Sequence, residues 1–214
     1  MSVLARNKTR LMLPRGAVGY YTSDLLAPLL TASGGGMGVV FPFQPDITYQ
    51  QSANYSSYDL SHTNYTYNAY RNTSSPSIQL TAQFASATQE EGAYTLAALH
   101  FFRSVNKMWS GMGDRGGVPT AGTPPPILRF SSFGEQVFGA PQEMSSPSGM
   151  RVVLTNFATT FDSNVDLKLI NGQQLPVVMT FALDLLVQVT PDRQKNNYST
   201  TNFVNGRAYS EGFI

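Results

Sequence analysis

The chain has 214 residues, 14 basic and 13 acidic, for a net charge of +1, and only 13% of its residues are charged. That balance excludes the basic excess of a typical nucleic-acid reader, and the absence of cysteine excludes disulfides and thiolate metal sites. The length suits one domain with a sizeable core, and the wealth of Gly, Pro, Ser, Thr, Asn and Tyr points to a mainly β protein with long loops.

Residues 1–15 carry Arg6, Lys8, Arg10 and Arg15, with no acid before Asp24. They read as a basic N-terminal arm, solvated or docked on an acidic surface. There is no apolar core of signal-peptide length, so conventional export is not expected. Pro28 argues against a long helix, and the glycines after Ala32 read as a flexible turn without the Gly-Lys-Ser/Thr ending of a phosphate loop. The expected organisation is therefore an arm plus flexible glycine-rich segment over residues 1–38 and one domain over residues 39–214.

Residues 39–50 look like strand interrupted by prolines. Ser52 to Ser75 is polar and rich in tyrosine (Tyr55, Tyr58, Tyr65, Tyr67 and Tyr70) and lacks clean alternation, which predicts a long loop or extended arm. Ser77 to Ala85 alternates strictly: Ile78, Leu80, Ala82 and Phe84 face one way, Ser77, Gln79, Thr81 and Gln83 the other.

The next stretch predicts a helix over about 88–110. Thr88 and Glu91 stand at capping-box spacing, Glu90 and Glu91 sit at the positive end of the helix dipole, and Gly111-Met112-Gly113 offers a stop. Ala97, Phe101, Val105 and Met108 form its apolar stripe, widened by Tyr94, Ala98, Phe102 and Trp109. A Gly/Pro loop follows to Pro126, then a strand near Met150 to Phe161. A long strand from Leu175 to Val189 places an apolar residue at every odd position.

Chemistry is sparse. His62 lies in the tyrosine-rich segment and His100 mid-helix, and neither has a second histidine or a carboxylate pair at useful spacing. No Gly-x-Ser-x-Gly elbow occurs, and Asp162 and Asp166 flank a turn-like Ser163-Asn164. The sequons at Asn7, Asn54, Asn64, Asn72 and Asn197 are chance matches in so Asn/Ser/Thr-rich a chain. The reading is a non-enzyme with no cofactor and no metal. No apolar run approaches the roughly 20 residues of a membrane helix, so membrane insertion is not expected. The tyrosine segment fits a subunit interface better than a base- or sugar-stacking platform.

Four elements in fixed order carry a resemblance: Ser61-His62-Thr63-Asn64, the strand SIQLTAQF, the helix EGAYTLAALHFFRSVNKM, and Gly122-Thr123-Pro124-Pro125-Pro126-Ile127-Leu128. Together they resemble the tail-tube initiator or tube-cap family of baseplate tube proteins in contractile-tailed bacteriophages, over about residues 39–214. Gly92 and Phe102 stand where that pattern has alanine and leucine. The closing LPVVMTFALDLLVQVTPDR and NFVNGRAYSEGF are similar to the family's C-terminal strand and tail.

The resemblance implies a tail-tube-like β-barrel with one packed helix and long extended arms. It also implies a homo-hexameric ring, in the virion baseplate and assembled in the host cytoplasm, that links hub to tail tube and initiates the tube. DNA would pass through its channel without specific binding, and the tape-measure protein would be a candidate occupant of the lumen. Candidate subunit-interface residues are Tyr55, Tyr58, His62, Asn64, Tyr65, Tyr67, Tyr70, Pro124, Pro125 and Pro126. A main tail-tube subunit and a glycan-binding adhesin are the alternative readings.

Overall fold

A computed structural model describes residues 8–14, 17, 21, 23–33, 36–109, 122–138, 149–161, 163–170 and 172–208. Within them run β1 (Arg10–Met12), α1 (Ala27–Ala32), β2 (Gly38–Val40), β3 (Asp46–Gln50), β4 (Ala53–Tyr58), β5 (Tyr67–Thr73), β6 (Ser77–Ala85) and α2 (Gln89–Val105). Then come β7 (Leu128–Ser131), α3 (Glu135–Phe138), β8 (Met150–Thr160), β9 (Leu167–Ile170), β10 (Gln173–Pro176), β11 (Val178–Val187), α4 (Pro191–Asn197) and α5 (Thr200–Val204).

Seven strands form one antiparallel sheet in the order β2-β1-β7-β8-β11-β6-β3, and β4-β5 and β9-β10 are separate hairpins. The mainly β fold with one packed helix is as the sequence predicts. Closure is not: among the described residues the sheet is open, with β2 and β3 as its edges. Strand length, the basis for expecting a barrel wall, is explained instead by β8 and β11 spanning the whole layer against each other.

The periodicity of β6 is realised fully. Ile78, Leu80, Ala82 and Phe84 are buried, while Gln79, Thr81 and Gln83 lie on the exposed face. Along β11, Met179, Phe181, Leu183, Leu185 and Val187 are buried in the same way. The expected single strand from Leu175 is cut at Val177, whose N–H bonds to the Asp166 carbonyl and whose carbonyl accepts from Ser86. Leu175 therefore belongs to β10 of the second hairpin.

Within the seven-stranded sheet, β8 changes phase along its length. Val152 and Leu154 face the core, yet beyond them the inward residues are Phe157 and Thr159. The cause is a bulge: Leu185 pairs with Leu154 but Asp184 with Asn156, leaving Thr155 as the extra residue. Its hydroxyl donates to the Asp184 carbonyl at 2.9 Å, and the Asn156 amide donates to the Asp184 carboxylate at 3.0 Å.

α2 starts as its sequence requires. The Thr88 hydroxyl accepts from the Glu91 N–H at 3.2 Å, and the Glu91 carboxylate accepts from the Thr88 N–H at 3.0 Å. It ends earlier than expected, at Val105 with Asn106 as cap. Met108 is consequently exposed, whereas Trp109 meets the Tyr21 ring edge-on. Gly111 to Gly113, the expected stop, lie outside the described residues. The helix is buried on more than one side, Leu96 and Leu99 as well as Ala97, Phe101 and Phe102. At Gly92 the β9-β10 hairpin presses so close that an added Cβ would lie 1.8 Å from Ile170 Cδ1.

Several described residues of the expected arm and glycine-rich segment take part in the sheet and core. β1 is inserted between β2 and β7, and Leu11, Leu13, Leu29 and Val39 are among the core residues. Pro28 sits in the first turn of α1, where its missing N–H breaks no bond. Residues 1–7, Gly34 and Gly35 lie outside the described residues. The centre of the core is aromatic: Phe84 and Phe181 lie 4.6 Å apart between centroids, and both Phe157 and Phe102 reach Phe181.

Candidate interaction surfaces

The tyrosine-rich segment is an ordered hairpin rather than a loop. β4 and β5 pair antiparallel with Tyr55 opposite Tyr70 and Tyr58 opposite Tyr67. Alternation puts the first pair on one face and the second on the other. No face is covered: Tyr55, Tyr58, Tyr67 and Tyr70 expose between 48% and 62% of their surface, and Tyr65 exposes 64%. The rings cover one another locally, Tyr55 on Tyr70 at 5.8 Å and Tyr65 on Tyr67 at 5.2 Å, with the latter two hydroxyls 3.2 Å apart. His62 and Asn64 occupy the exposed turn, His62 with a φ of 65°. Thr63 pins that turn by donating to the Leu60 and Tyr65 carbonyls.

Pro124, Pro125 and Pro126 lie elsewhere. Their segment returns to the end of α2, where Trp109 donates to the Thr123 carbonyl and Gly122 donates to that of Trp109. Pro124 is exposed and Pro125 and Pro126 are half-buried. No hydrogen bond or ring contact among the described residues joins them to the hairpin.

Two further features went unnoticed in the sequence. One is a cleft of about 860 Å³ at the base of the hairpin, between Tyr70, Asn72, Val187 and Val189 and the rings of Tyr198, which follows α4, and Phe203 of α5. The other is a group of arginines on the sheet face opposite the core. Arg129 of β7 stands between buried Leu128 and Phe130, and Arg151 of β8 between buried Met150 and Val152. They are direct cross-strand partners.

Arg193 of α4 joins them electrostatically. Burial first, then the charges of Arg151 and Arg193, lower the pKa of Arg129; burial and Arg193 lower that of Arg151. The available signal was a single arginine in the polar phase of each of two apolar strands, and nothing local says that those strands are neighbours.

Among the described residues no group of histidine and carboxylate side chains is placed to hold a metal, and no helix is long and apolar enough to cross a membrane. No family model matches the chain, and no curated protein matches it. A solved structure described as the tail of an empty GTA particle, computed with helical refinement and C6 symmetry, is similar over 89% of this chain and 96% of that chain. The identity is 11% and the TM-score 0.37, a likeness that carries no argument about function.

Proposed function

We propose that the chain is a structural protein of a contractile phage tail. Six copies form a baseplate ring that joins the hub to the tail tube and starts its polymerisation around a channel for DNA. The observation that carries this reading is the β4-β5 hairpin. A two-stranded ribbon is at best marginally stable alone in water. This one carries tyrosines on both faces, each of them about half exposed or more. Tyrosine supplies large contact area with one polar handle, the chemistry of a subunit interface. The family-like elements support the same reading: Ser61 to Asn64 at the hairpin turn, SIQLTAQF as β6, the capped helix as α2, and the proline segment at its far end.

The sheet also bears on how a ring would close. Its exposed face over β6 and β11 offers Gln79, Thr81, Gln83, Thr180 and Ala182, small or uncharged groups beside one acid, Asp184, and without a cation to hold DNA as it slides. Tyrosines on both faces also favour an arm gripped between subunits over a one-sided glycan platform. Cryo-EM of the virion, or of the full chain reconstituted with hub and tube proteins, tests the proposal. A ring between hub and tube with the hairpin buried on a neighbour is expected. A monomer on a fibre overturns the reading, and a repeat along the entire tube would make it the main tube subunit.

A further inference from the structure

We propose that Arg129 and Arg151 form a docking site for an acidic side chain of a neighbouring protein subunit. Two strands bring two guanidinium groups directly opposite each other, at the end of the sheet from which α4 departs. Like charges directly opposite each other across a sheet are destabilising, so folding alone gives no reason to place them there. Among the described residues no carboxylate is hydrogen-bonded to Arg129 or ion-paired with it, and the same holds for Arg151. The Arg151 Nε is buried and has no acceptor among the described residues, which is costly unless something supplies one.

A carboxylate fits what is missing. Guanidinium groups present N–H donors in a planar fork that a carboxylate accepts through two oxygens. The surroundings identify the carrier as protein. On the same face Arg129 lies opposite Met12, and Val153, two residues along from Arg151, pairs with Leu186. Met12 is buried and Val153 and Leu186 are half-buried. Arginine set among apolar side chains is the composition of a protein–protein contact centre. A nucleic-acid track would string cations along its path, but here the same face continues into Asp184 and uncharged Gln79.

The proposal is independent of ring formation and is tested on the isolated full chain. The probe is a short synthetic peptide with one glutamate flanked by leucines, followed by calorimetry and by the arginine Nε–H signals in NMR. The controls are the glutamine version of the peptide, inorganic phosphate and a short DNA duplex. The acidic peptide should shift the Arg151 signal, the glutamine version should not, and Arg129→Gln or Arg151→Gln should weaken binding by about tenfold or more.

Arg151→Lys, which keeps the charge and loses the fork, should weaken it as well. Both glutamine variants should melt no lower than the parent, which separates a binding role from a structural one. Failure of the peptide to bind at millimolar concentration overturns the proposal. So does arginine-dependent binding of the duplex or phosphate in preference to the peptide, or a marked loss of stability in both glutamine variants.

Discussion

The Tyr94 hydroxyl makes two bonds to one residue: it accepts the Val40 N–H at 2.8 Å and donates to the Val40 carbonyl at 2.7 Å. Val40 lies in β2, the last strand on its side of the sheet, and its neighbours Phe41 and Val39 supply the main-chain pairing to β1. A helix side chain thus satisfies the outward-pointing groups of an edge strand, one way of blunting an edge that would otherwise recruit another chain.

Tyr94→Phe should leave that N–H and carbonyl unpaired in a half-buried setting and cost about 1–3 kcal/mol in chemical denaturation. An effect within error would mean that water replaces the hydroxyl. The variant should also associate more readily through the uncovered edge, visible by light scattering.

Alkaline pH probes the same contact. Burial, opposed by the Val40 hydrogen bond, pushes the Tyr94 pKa up to about 12 from an ordinary 10.0. A raised pKa means that the folded state holds the proton more tightly. The stabilisation is therefore complete below pH 10 and is lost as pH rises from 10 towards 12. It amounts to about 2–3 kcal/mol at most. Stability of Tyr94→Phe should fall less steeply over that window, and parallel curves for the two proteins would refute the assignment.

Gly92→Ala is expected to destabilise, although alanine is the better helix former. The new Cβ would meet both Cδ1 and Cγ1 of Ile170, the latter at 2.8 Å. Overpacking of this kind costs about 1–3 kcal/mol. Ile170→Val removes Cδ1, so the double variant should recover part of the loss. Additive losses in a denaturant-unfolding cycle would show that the two sites do not touch.

Phe101→Ala should cost about 3–5 kcal/mol, since Phe101 is fully buried and packs on Tyr21 and Phe102. A near-neutral result by thermal melting would mean that this helix face is not core.

Tyr55→Ala and Tyr70→Ala, by contrast, should leave the melting temperature of the isolated chain nearly unchanged, because both rings are largely exposed. They should abolish incorporation into assembled tails, read by electron microscopy of particles made with the variant. Normal incorporation would remove the hairpin from the interface.

The parts of this fold legible in the sequence are those specified within a few residues. The Thr88–Glu91 box, the α2 stripe and the alternation of β6 are local patterns that burial simply follows. What was hidden depends on partners far along the chain. Arg10 to Met12 looked like part of a tail because three residues carry no periodicity, yet two strands flank them. The tyrosine hairpin hid its alternation because Tyr55 and Tyr58 point to opposite faces, both exposed. The Arg129–Arg151 pairing spans two segments whose separation in sequence conceals their register.

The bulge in β8 gives that strand an unusual grammar. Delete one residue from an ordinary strand and everything downstream turns inside out. Here Thr155 is the surplus letter: without it Leu154, Asn156 and Phe157 would read in, out, in, which is the order the core already uses. Loss of any other interior β8 residue would turn Phe157 outward or misplace Val152 unless the bulge dissolved to compensate. The strand therefore carries a one-residue slack, held in place by the Thr155 hydroxyl on the Asp184 carbonyl, at which its length can change while its faces do not.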